Sequence, residues 1–135
     1  MPASGLLVPF YRWRGAMPEP ARPERILIRH DTRIVPRACF KNEYGVALPL
    51  TGLTVRYTLR NRATDVVKVN RATVTLEDQA LYPGTCYYQI IVTDVDTAGT
   101  YSEEWEVDYG SGSKESFPAS PTPQTVQILG DVDNA

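Results

Sequence analysis

The feature of this sequence that most constrains its fold is a hydrophobic pattern with a period of two residues. Two runs place apolar side chains at alternate positions, namely Leu53, Val55, Tyr57 and Leu59, then Tyr101, Trp105, Val107 and Tyr109. Successive side chains of a β-strand point to opposite faces of the sheet, so this alternation predicts strands with one buried face. Glu103 interrupts the second run, and we expect it near the exposed start of that strand.

A third alternating run occupies 84–92. It carries Cys86, Tyr88, Ile90 and Val92 on one face, and shorter apolar runs lie at 26–30, 34–40, 72–76 and 124–129. No window of about twelve residues repeats with the period of a helix. Gly110 and Gly112 adopt positive φ at little cost, which predicts a hairpin between 100–109 and 113–117. These patterns predict an all-β fold, a Greek-key β-sandwich of seven or eight short antiparallel strands.

We expect the inward-facing members of the long runs to form the core. They are Leu53, Val55, Tyr57, Leu59, Tyr88, Ile90, Tyr101, Trp105 and Val107. Trp105 is predicted to be the largest anchor, because truncating a buried large aromatic costs about 3–5 kcal/mol. Tyr101 follows Gly99 and can place its ring on the core while its hydroxyl reaches the backbone, as in the corners of β-sandwiches.

The first 24 residues are of a different kind, because five of them are proline. Proline removes a backbone donor and clashes with the preceding helical turn, so this segment is predicted to be extended or to order only on a partner. We therefore divide the chain into an extended arm (1–24), a β-sandwich (25–130) and a C-terminal tail (131–135).

The net charge of −2 hides an asymmetry along the chain. Residues 1–37 hold seven arginines against three acidic residues and carry +4, whereas 38–135 carry −6. Such a division indicates either an arm that seeks an acidic surface or complementarity between copies of the chain.

Aromatic and basic residues interleave within the arm, as Phe10, Tyr11, Arg12, Trp13 and Arg14. These residue types are enriched at the hot spots of protein interfaces. The same composition could bind nucleic acid or pack on its own domain. A few arginines in front of an acidic domain release few counterions, so we favour a protein partner and expect no nucleic-acid partner.

The inventory of reactive residues argues against an enzyme. One histidine and two cysteines are too few for a zinc finger or ribbon. His30 and Asp31 resemble a base with its orienting carboxylate, but neighbours on a strand face opposite sides. No motif places a serine or cysteine beside them. We therefore predict no catalytic residue and no cofactor.

An acidic region is the one candidate for a metal site. It contains Asp94, Asp96, Glu103, Glu104, Glu106 and Asp108. Calcium favours clustered oxygen ligands, but the spacing matches no calcium-binding loop. Glu104, Glu106 and Asp108 alternate along one strand, so we expect a solvated or subunit-contacting face without a metal.

The order of the short motifs resembles a known family. In chain order they are His30-Asp31-Thr32, Asn42-Glu43-Tyr44-Gly45, 50–59 beginning Leu-Thr-Gly, Ala72-Thr73-Val74, 96–101 ending Gly-Thr-Tyr, 104–107 and Phe117-Pro118. This order is similar to that of the immunoglobulin-like N-terminal module of phage baseplate upper proteins, which recurs in other tail and virion components. The resemblance covers about 31–129 and leaves the arm unexplained. In that family a compact Asp/Asn-Gly turn stands where this chain has 42–45.

The resemblance implies a non-enzymatic structural protein of a bacteriophage virion, in the tail, baseplate, connector or capsid, assembled in the host cytoplasm. We expect it to dock through the arm into a symmetric, multi-copy assembly with other virion proteins or further copies of itself. The alternative is an immunoglobulin-like adhesion or decoration module that binds a host glycan or receptor. The sequence favours the scaffold, because the predicted loops are rich in Ala, Thr, Ser, Gly and Pro while the exposed aromatics fall in the arm.

Two further expectations concern the membrane and the cysteines. No apolar run approaches the ~20 residues that a membrane span needs. Cys39 and Cys86 both lie in predicted strands and could face each other across the sandwich. A disulfide between them is one alternative. Particles assembled in a reducing cytosol usually keep such cysteines as small buried groups, so we favour free thiols.

Overall fold

The computed structural model describes residues 25–42, 44–117 and 124–130, and the backbone of 10–11. The predicted tail (131–135) and the rest of the predicted arm lie outside the described residues. Within them the chain forms ten strands: β1 (Phe10–Tyr11), β2 (Arg25–Ile28), β3 (Arg37–Phe40), β4 (Thr54–Asn61), β5 (Val67–Thr73), β6 (Thr75–Leu76), β7 (Thr85–Tyr87), β8 (Gly99–Gly110), β9 (Ser113–Phe117) and β10 (Gln124–Leu129). A single 3-10 helix, Val92–Val95, precedes β8. No helix in the described part is long and apolar enough to cross a membrane.

The strands form two sheets. Sheet A has the order β1-β3-β7-β6, and sheet B has the order β2-β10-β8-β4-β5, with β9 paired to β8. Strand β8 is the longest and the centre of sheet B. It pairs with β4 along one edge, while β10 and β9 share its other edge at successive positions.

The two sheets pack face to face around one apolar core. Phe40 of sheet A contacts Phe117 of sheet B with ring centroids 4.8 Å apart. Tyr57 stacks on Tyr88 at 5.0 Å and leans on Trp105 at 4.7 Å. The all-β sandwich predicted from the alternation is confirmed, whereas the immunoglobulin-like Greek-key order stays a prediction.

The residues predicted for the core lie in or against it. Seven are buried: Val55, Tyr57, Leu59, Ile90, Tyr101, Trp105 and Val107. Leu53 and Tyr88 are partly buried and pack against this cluster. The burial of β4 and β8 therefore follows the period of two that their sequences carry.

Two of the strand pairings are parallel, which differs from the antiparallel arrangement predicted. β1 runs parallel to β3, and β2 runs parallel to β10. Parallel neighbours need a long connection, and β2 and β10 have most of the domain between them. A prediction that pairs consecutive runs through hairpins cannot find strands that lie so far apart in the sequence.

The turns around β8 behave as their residues predict. The β8–β9 hairpin turns through Ser111 and Gly112 at φ of 54° and 78°, the positive values that a two-residue type I′ turn requires. At the start of β8 the Tyr101 hydroxyl donates to the Thr97 carbonyl at 2.8 Å. The expected reach of this tyrosine to the backbone is confirmed.

The strand predicted over 84–92 is wrong beyond Tyr87. Asp94, which is buried, accepts hydrogen bonds from the Tyr88 hydroxyl at 2.7 Å and from the Ile91 amide at 3.0 Å. These bonds hold the chain in the 3-10 turn and leave Val92 exposed. Hydrogen bonds between a short polar side chain and nearby backbone compete with strand pairing, and at Asp94 they replace it.

Candidate docking surface

The arm reaches the sandwich at the outer edge of sheet A. Phe10 is the register partner of Cys39, and Tyr11 is the partner of Phe40. Because β7 lies on the other side of β3, β1 occupies the edge that β3 would otherwise leave open. Of the five predicted interface residues, the structure therefore places Phe10 and Tyr11 in an edge strand of the domain. Arg12, Trp13 and Arg14 lie outside the described residues.

Four exposed apolar side chains lie at the same end of sheet A, on the two loops that follow β3 and precede β7. Tyr44 and Val46 belong to the first loop, and Leu81 and Tyr82 to the second; their exposed fractions run from 51% for Tyr82 to 81% for Tyr44. We call these four residues the apolar end. Large exposed apolar side chains gathered at one place are typical of interaction surfaces.

Backbone hydrogen bonds hold both loops against Phe40, the last residue of β3. The Phe40 amide donates to the Gly84 carbonyl at 3.0 Å, and the Leu48 amide donates to the Phe40 carbonyl at 2.8 Å. Gly84 has a φ of +79°, and a Cβ there would lie 2.8 Å from the Phe40 carbonyl oxygen. Only glycine lets the second loop approach this closely.

Side chains fix the shape of each loop. Asn42 Oδ1 accepts from the amides of Tyr44 at 2.9 Å and Val46 at 3.0 Å. In the other loop Asp78 Oδ1 accepts from the Ala80 amide at 2.9 Å. Short polar side chains that bond to the backbone two residues on stabilise such turns. These bonds therefore hold the described residues that carry the apolar end.

The expectation that the exposed aromatics fall in the arm is wrong. Tyr44 and Tyr82 are exposed on loops of the described domain. Their exposure could not be predicted from the alternation, because a tyrosine in a turn carries no periodic signal. Tyr44 lies two residues after Asn42 and Tyr82 directly precedes Pro83; these turn residues are the signal that could have located both tyrosines.

The acidic row on β8 is partly covered by arginines. Glu104 is exposed, as expected of a solvated or subunit-contacting face, whereas Glu106 and Asp108 are half-buried. Arg56 lies 3.3 Å from Asp108 and 3.6 Å from Glu106, and Arg71 lies 2.6 Å from Glu106. The Gly110 amide and Arg56 both donate to Asp108 and lower the pKa of its carboxyl.

The remaining members of the acidic region do not gather with them. Asp96 accepts from Lys68 at 2.5 Å, which lowers the pKa of Asp96. Asp94 is bonded to Tyr88, and the combination of burial and this hydrogen bond raises the pKa of that tyrosine. Within the described residues no group of three or more acidic, histidine or cysteine side chains is arranged to hold a metal ion.

Glu103 lies in the core, so its expected position at an exposed strand start is wrong. Its side chain is fully buried and pairs with Arg25, whose Nε and Nη2 donate to the two carboxylate oxygens at 2.8 and 2.9 Å. The Tyr57 hydroxyl donates to Oε1 at 2.8 Å and the Trp105 indole to Oε2 at 3.2 Å. Four donors around one carboxylate compensate for its loss of water.

Arg25 also connects the two sheets. Its Nη2 donates to the Arg37 carbonyl of β3 at 2.9 Å while the same guanidinium holds Glu103 of β8. The signal that could have revealed this pair is the alternation of inward and outward side chains along each strand. Glu103 shares the inward phase of Trp105, and Arg25 shares that of Leu27, so two opposite charges are directed into one core.

His30 and Asp31 do not form a catalytic pair. They follow β2 in a turn, where His30 has a φ of 67° and its amide donates to the Val95 carbonyl at 2.9 Å. They therefore do not occupy the strand from which their opposite orientation was inferred. Asp31 accepts from Arg33, which lowers the pKa of the aspartate to about 2.

The two cysteines are free thiols on neighbouring strands of sheet A. Cys86 pairs in register with Ala38 and faces the core, whereas Cys39 pairs with Thr85 and is half-exposed. They do not face each other across the sandwich, as had been considered. Burial raises the pKa of the Cys86 thiol, so that this residue behaves as a small apolar group.

Comparison of the sequence with models of known protein families and with curated protein sequences finds no match.

Proposed function

We propose that the protein is a non-enzymatic structural component of a bacteriophage virion, in the tail, baseplate, connector or capsid, which docks into a multi-copy assembly through its N-terminal arm. The resemblance of the motif order to the immunoglobulin-like modules of phage baseplate proteins supports this proposal. The β-sandwich and the hydrogen bond of Tyr101 at the corner before β8 are features expected of such a module.

The observation that carries the docking role is the position of β1. It lies on the edge of sheet A and pairs with β3 beside the apolar end. An open sheet edge presents unpaired backbone groups to which a further strand can add, and flanking side chains supply specificity. An aromatic and arginine-rich segment attached at such an edge has the composition of an interface hot spot.

The polar residues support a structural role over a catalytic one. Glu103, Glu106 and Asp96 are each held by an arginine or lysine, and Glu103 is fully buried. Carboxylates that are saturated by cations and hydrogen bonds stabilise a fold and have little capacity left for proton transfer.

The test is quantitative mass spectrometry of purified particles made with the full-length chain. We expect the protein at a fixed copy number per particle. Phe10→Ala, Tyr11→Ala and Trp13→Ala combined should lower that number at least tenfold. The matched control removes exposed apolar surface at the other end of the sandwich, with Ile91→Ala and Val92→Ala, and should leave it unchanged. Absence of the wild-type chain from particles would contradict the proposal.

The second candidate is an adhesion or decoration module that binds a host glycan or receptor. The exposed tyrosines of the apolar end favour it, because aromatic faces on loops are suited to sugar rings. Under this candidate, Tyr44→Ala with Tyr82→Ala abolishes binding to host cell-surface glycans in a glycan array and leaves incorporation into particles intact. Under the docking role these two substitutions reduce incorporation.

A further inference from the structure

The chain enters and leaves the sandwich at opposite ends of one strand pair. β2 begins at Arg25, directly after the arm, and β10 ends at Leu129, near the C-terminal end of the described chain. The two strands are parallel and pair in unbroken register at four successive positions, from Val126 with Arg25 to Leu129 with Ile28. The entry and the exit therefore lie roughly 10 Å apart along the strand direction.

This arrangement determines how tension acts on the pair. A pull on the chain before Arg25 and an opposite pull on the chain after Leu129 draw β2 and β10 past each other along their own axes. The hydrogen bonds between the two strands then carry the load together, because one strand cannot slide without straining all of them. In a hairpin that is pulled open at its ends, the bonds break one after another. A parallel pair of entry and exit strands is thus loaded in the direction in which it resists most strongly.

Arg25 provides a second attachment at the point where the arm enters. Its side chain is 11% exposed, and its guanidinium donates to both carboxylate oxygens of Glu103 at 2.8 and 2.9 Å and to the Arg37 carbonyl at 2.9 Å. Among the described strands, β2 pairs only with β10, so these contacts connect it to β8 and to sheet A as well. Bidentate hydrogen bonds between charged groups are about twice as strong as neutral ones.

Glu103 is a firm point of attachment, because β8 is paired along both of its edges. β8 pairs with β4 at eight positions and with β10 at five. The Glu103 carboxylate is further held by the Tyr57 hydroxyl at 2.8 Å and by the Trp105 indole at 3.2 Å. Sliding β2 out of the sheet must withdraw the Arg25 side chain from this cluster and leave a fully buried carboxylate without its cation.

We propose that the β2–β10 pair and the Arg25–Glu103 ion pair form a mechanical clamp, which keeps the sandwich folded when tension acts between the arm and the C-terminal end of the domain. The clamp gives the entry and exit strands a load-bearing role. It is independent of the virion role, because it is built from contacts within one chain.

Single-molecule force spectroscopy in two pulling directions tests the clamp. In the first, the full-length chain with Cys39→Ser is held at its two ends between reference domains. In the second, the C-terminal attachment moves to residue 113 through Ser113→Cys. Because β8 is antiparallel to β10 and Ser113 pairs with Gly110 at its far end, residue 113 lies beyond the Arg25 end of β2. This pull turns the arm back over β2 and peels the strand away from Arg25 onward.

The clamp predicts an unfolding force about twofold higher, or more, in the end-to-end direction than in the peeling direction. β1 pairs with β3 at two positions only, so its release should appear as a separate event at lower force in both directions. Equal unfolding forces in the two directions would overturn the clamp. This comparison needs no change at Glu103 and therefore decides even if a variant at that position fails to fold.

Glu103→Gln tests the ion pair and has a matched control on the opposite edge of sheet B. We expect it to lower the end-to-end unfolding force by at least a third. Val69→Ala truncates a buried side chain of β5, away from the β2–β10 pair, and should lower that force by less than a tenth. Urea denaturation of both variants gives their loss of equilibrium stability. Losses of force that only follow the losses of stability would contradict the clamp.

The outcome separates from that of the proposed function, because the force is measured on the isolated chain. If the two pulling directions give equal forces while the chain is found in particles, the clamp is wrong and the docking role stands. If the directions differ but the chain is absent from particles, the clamp stands and the virion role is wrong.

Discussion

The two sheets of the sandwich differ in how continuously their strands are paired. In sheet B, β4 and β8 pair over eight successive positions, from Thr54 with Asp108 to Asn61 with Tyr101. In the described part of sheet A no strand exceeds four residues, and β3 and β7 pair at three positions before loops take over. Sheet B is therefore built for stability. In sheet A only the two-residue β1 covers the edge of β3, and the loops are available for contacts, as expected of a docking surface.

The largest expected effect falls on sheet B. Trp105→Ala should destabilise the protein by about 3–5 kcal/mol, because it removes a fully buried indole and one of the four donors to Glu103. Tyr44→Ala at the apolar end should change the free energy of unfolding by no more than about 0.5 kcal/mol. Urea denaturation of both variants measures the contrast. Equal midpoints would show that the two sheets contribute alike.

The buried ion pair gives the next effect. Glu103→Gln keeps the shape of the side chain but leaves Arg25 without its counter-charge inside the protein, at an expected cost of about 3 kcal/mol. Glu104→Gln, on the next residue and exposed, is the matched control and should cost less than about 0.5 kcal/mol. Thermal unfolding compares the two. Similar melting temperatures would mean that Glu103 does not hold the sheets together.

Much of this architecture is readable from the sequence, and the reasons for the exceptions are physical. The alternation of Val55 to Leu59 and of Tyr101 to Val107 locates β4 and β8, because burial on one face imposes a period of two. Glu103 was misplaced because a hydrophobicity pattern treats every carboxylate as exposed. Its partner Arg25 lies 78 residues away, and no local rule pairs residues at that distance.

The candidate surface was less readable than the core. The arm was recognised by composition alone, through its prolines and the cluster Phe10–Arg14. Its pairing with β3 is parallel and has no hairpin signal, so the sequence could not place it. The apolar end was missed because Tyr44 and Tyr82 lie in turns, where side-chain exposure depends on the loop conformation that Asn42 and Asp78 impose.

A smaller effect should separate sheet A from the rest through its close loop contact. Gly84→Ala combines a positive φ with a Cβ only 2.8 Å from the Phe40 carbonyl, whereas Gly52 has a similar φ of +81° and open space around it. We expect Gly52→Ala to cost about 1 kcal/mol and Gly84→Ala about 1–2 kcal/mol more. Hydrogen exchange should localise the second loss to β3 and β7. Equal costs would contradict the close approach of the two loops.

The smallest expected effect on stability accompanies the largest expected effect on assembly. Deleting residues 1–24 removes β1, which pairs with the domain at two positions only, and leaves Arg25 and the core in place. The free energy of unfolding should therefore change by less than about 1 kcal/mol.

The central claim, that the arm docks a self-sufficient sandwich into a multi-copy particle, is tested most directly by measuring how many copies of this truncated chain enter purified particles. The truncated protein should be folded, as its free energy of unfolding shows. Quantitative mass spectrometry should find it absent from particles, whereas the full-length chain is present at a fixed copy number. Incorporation of the truncated chain at the full-length copy number would contradict the account and assign the contact to the faces of the sandwich.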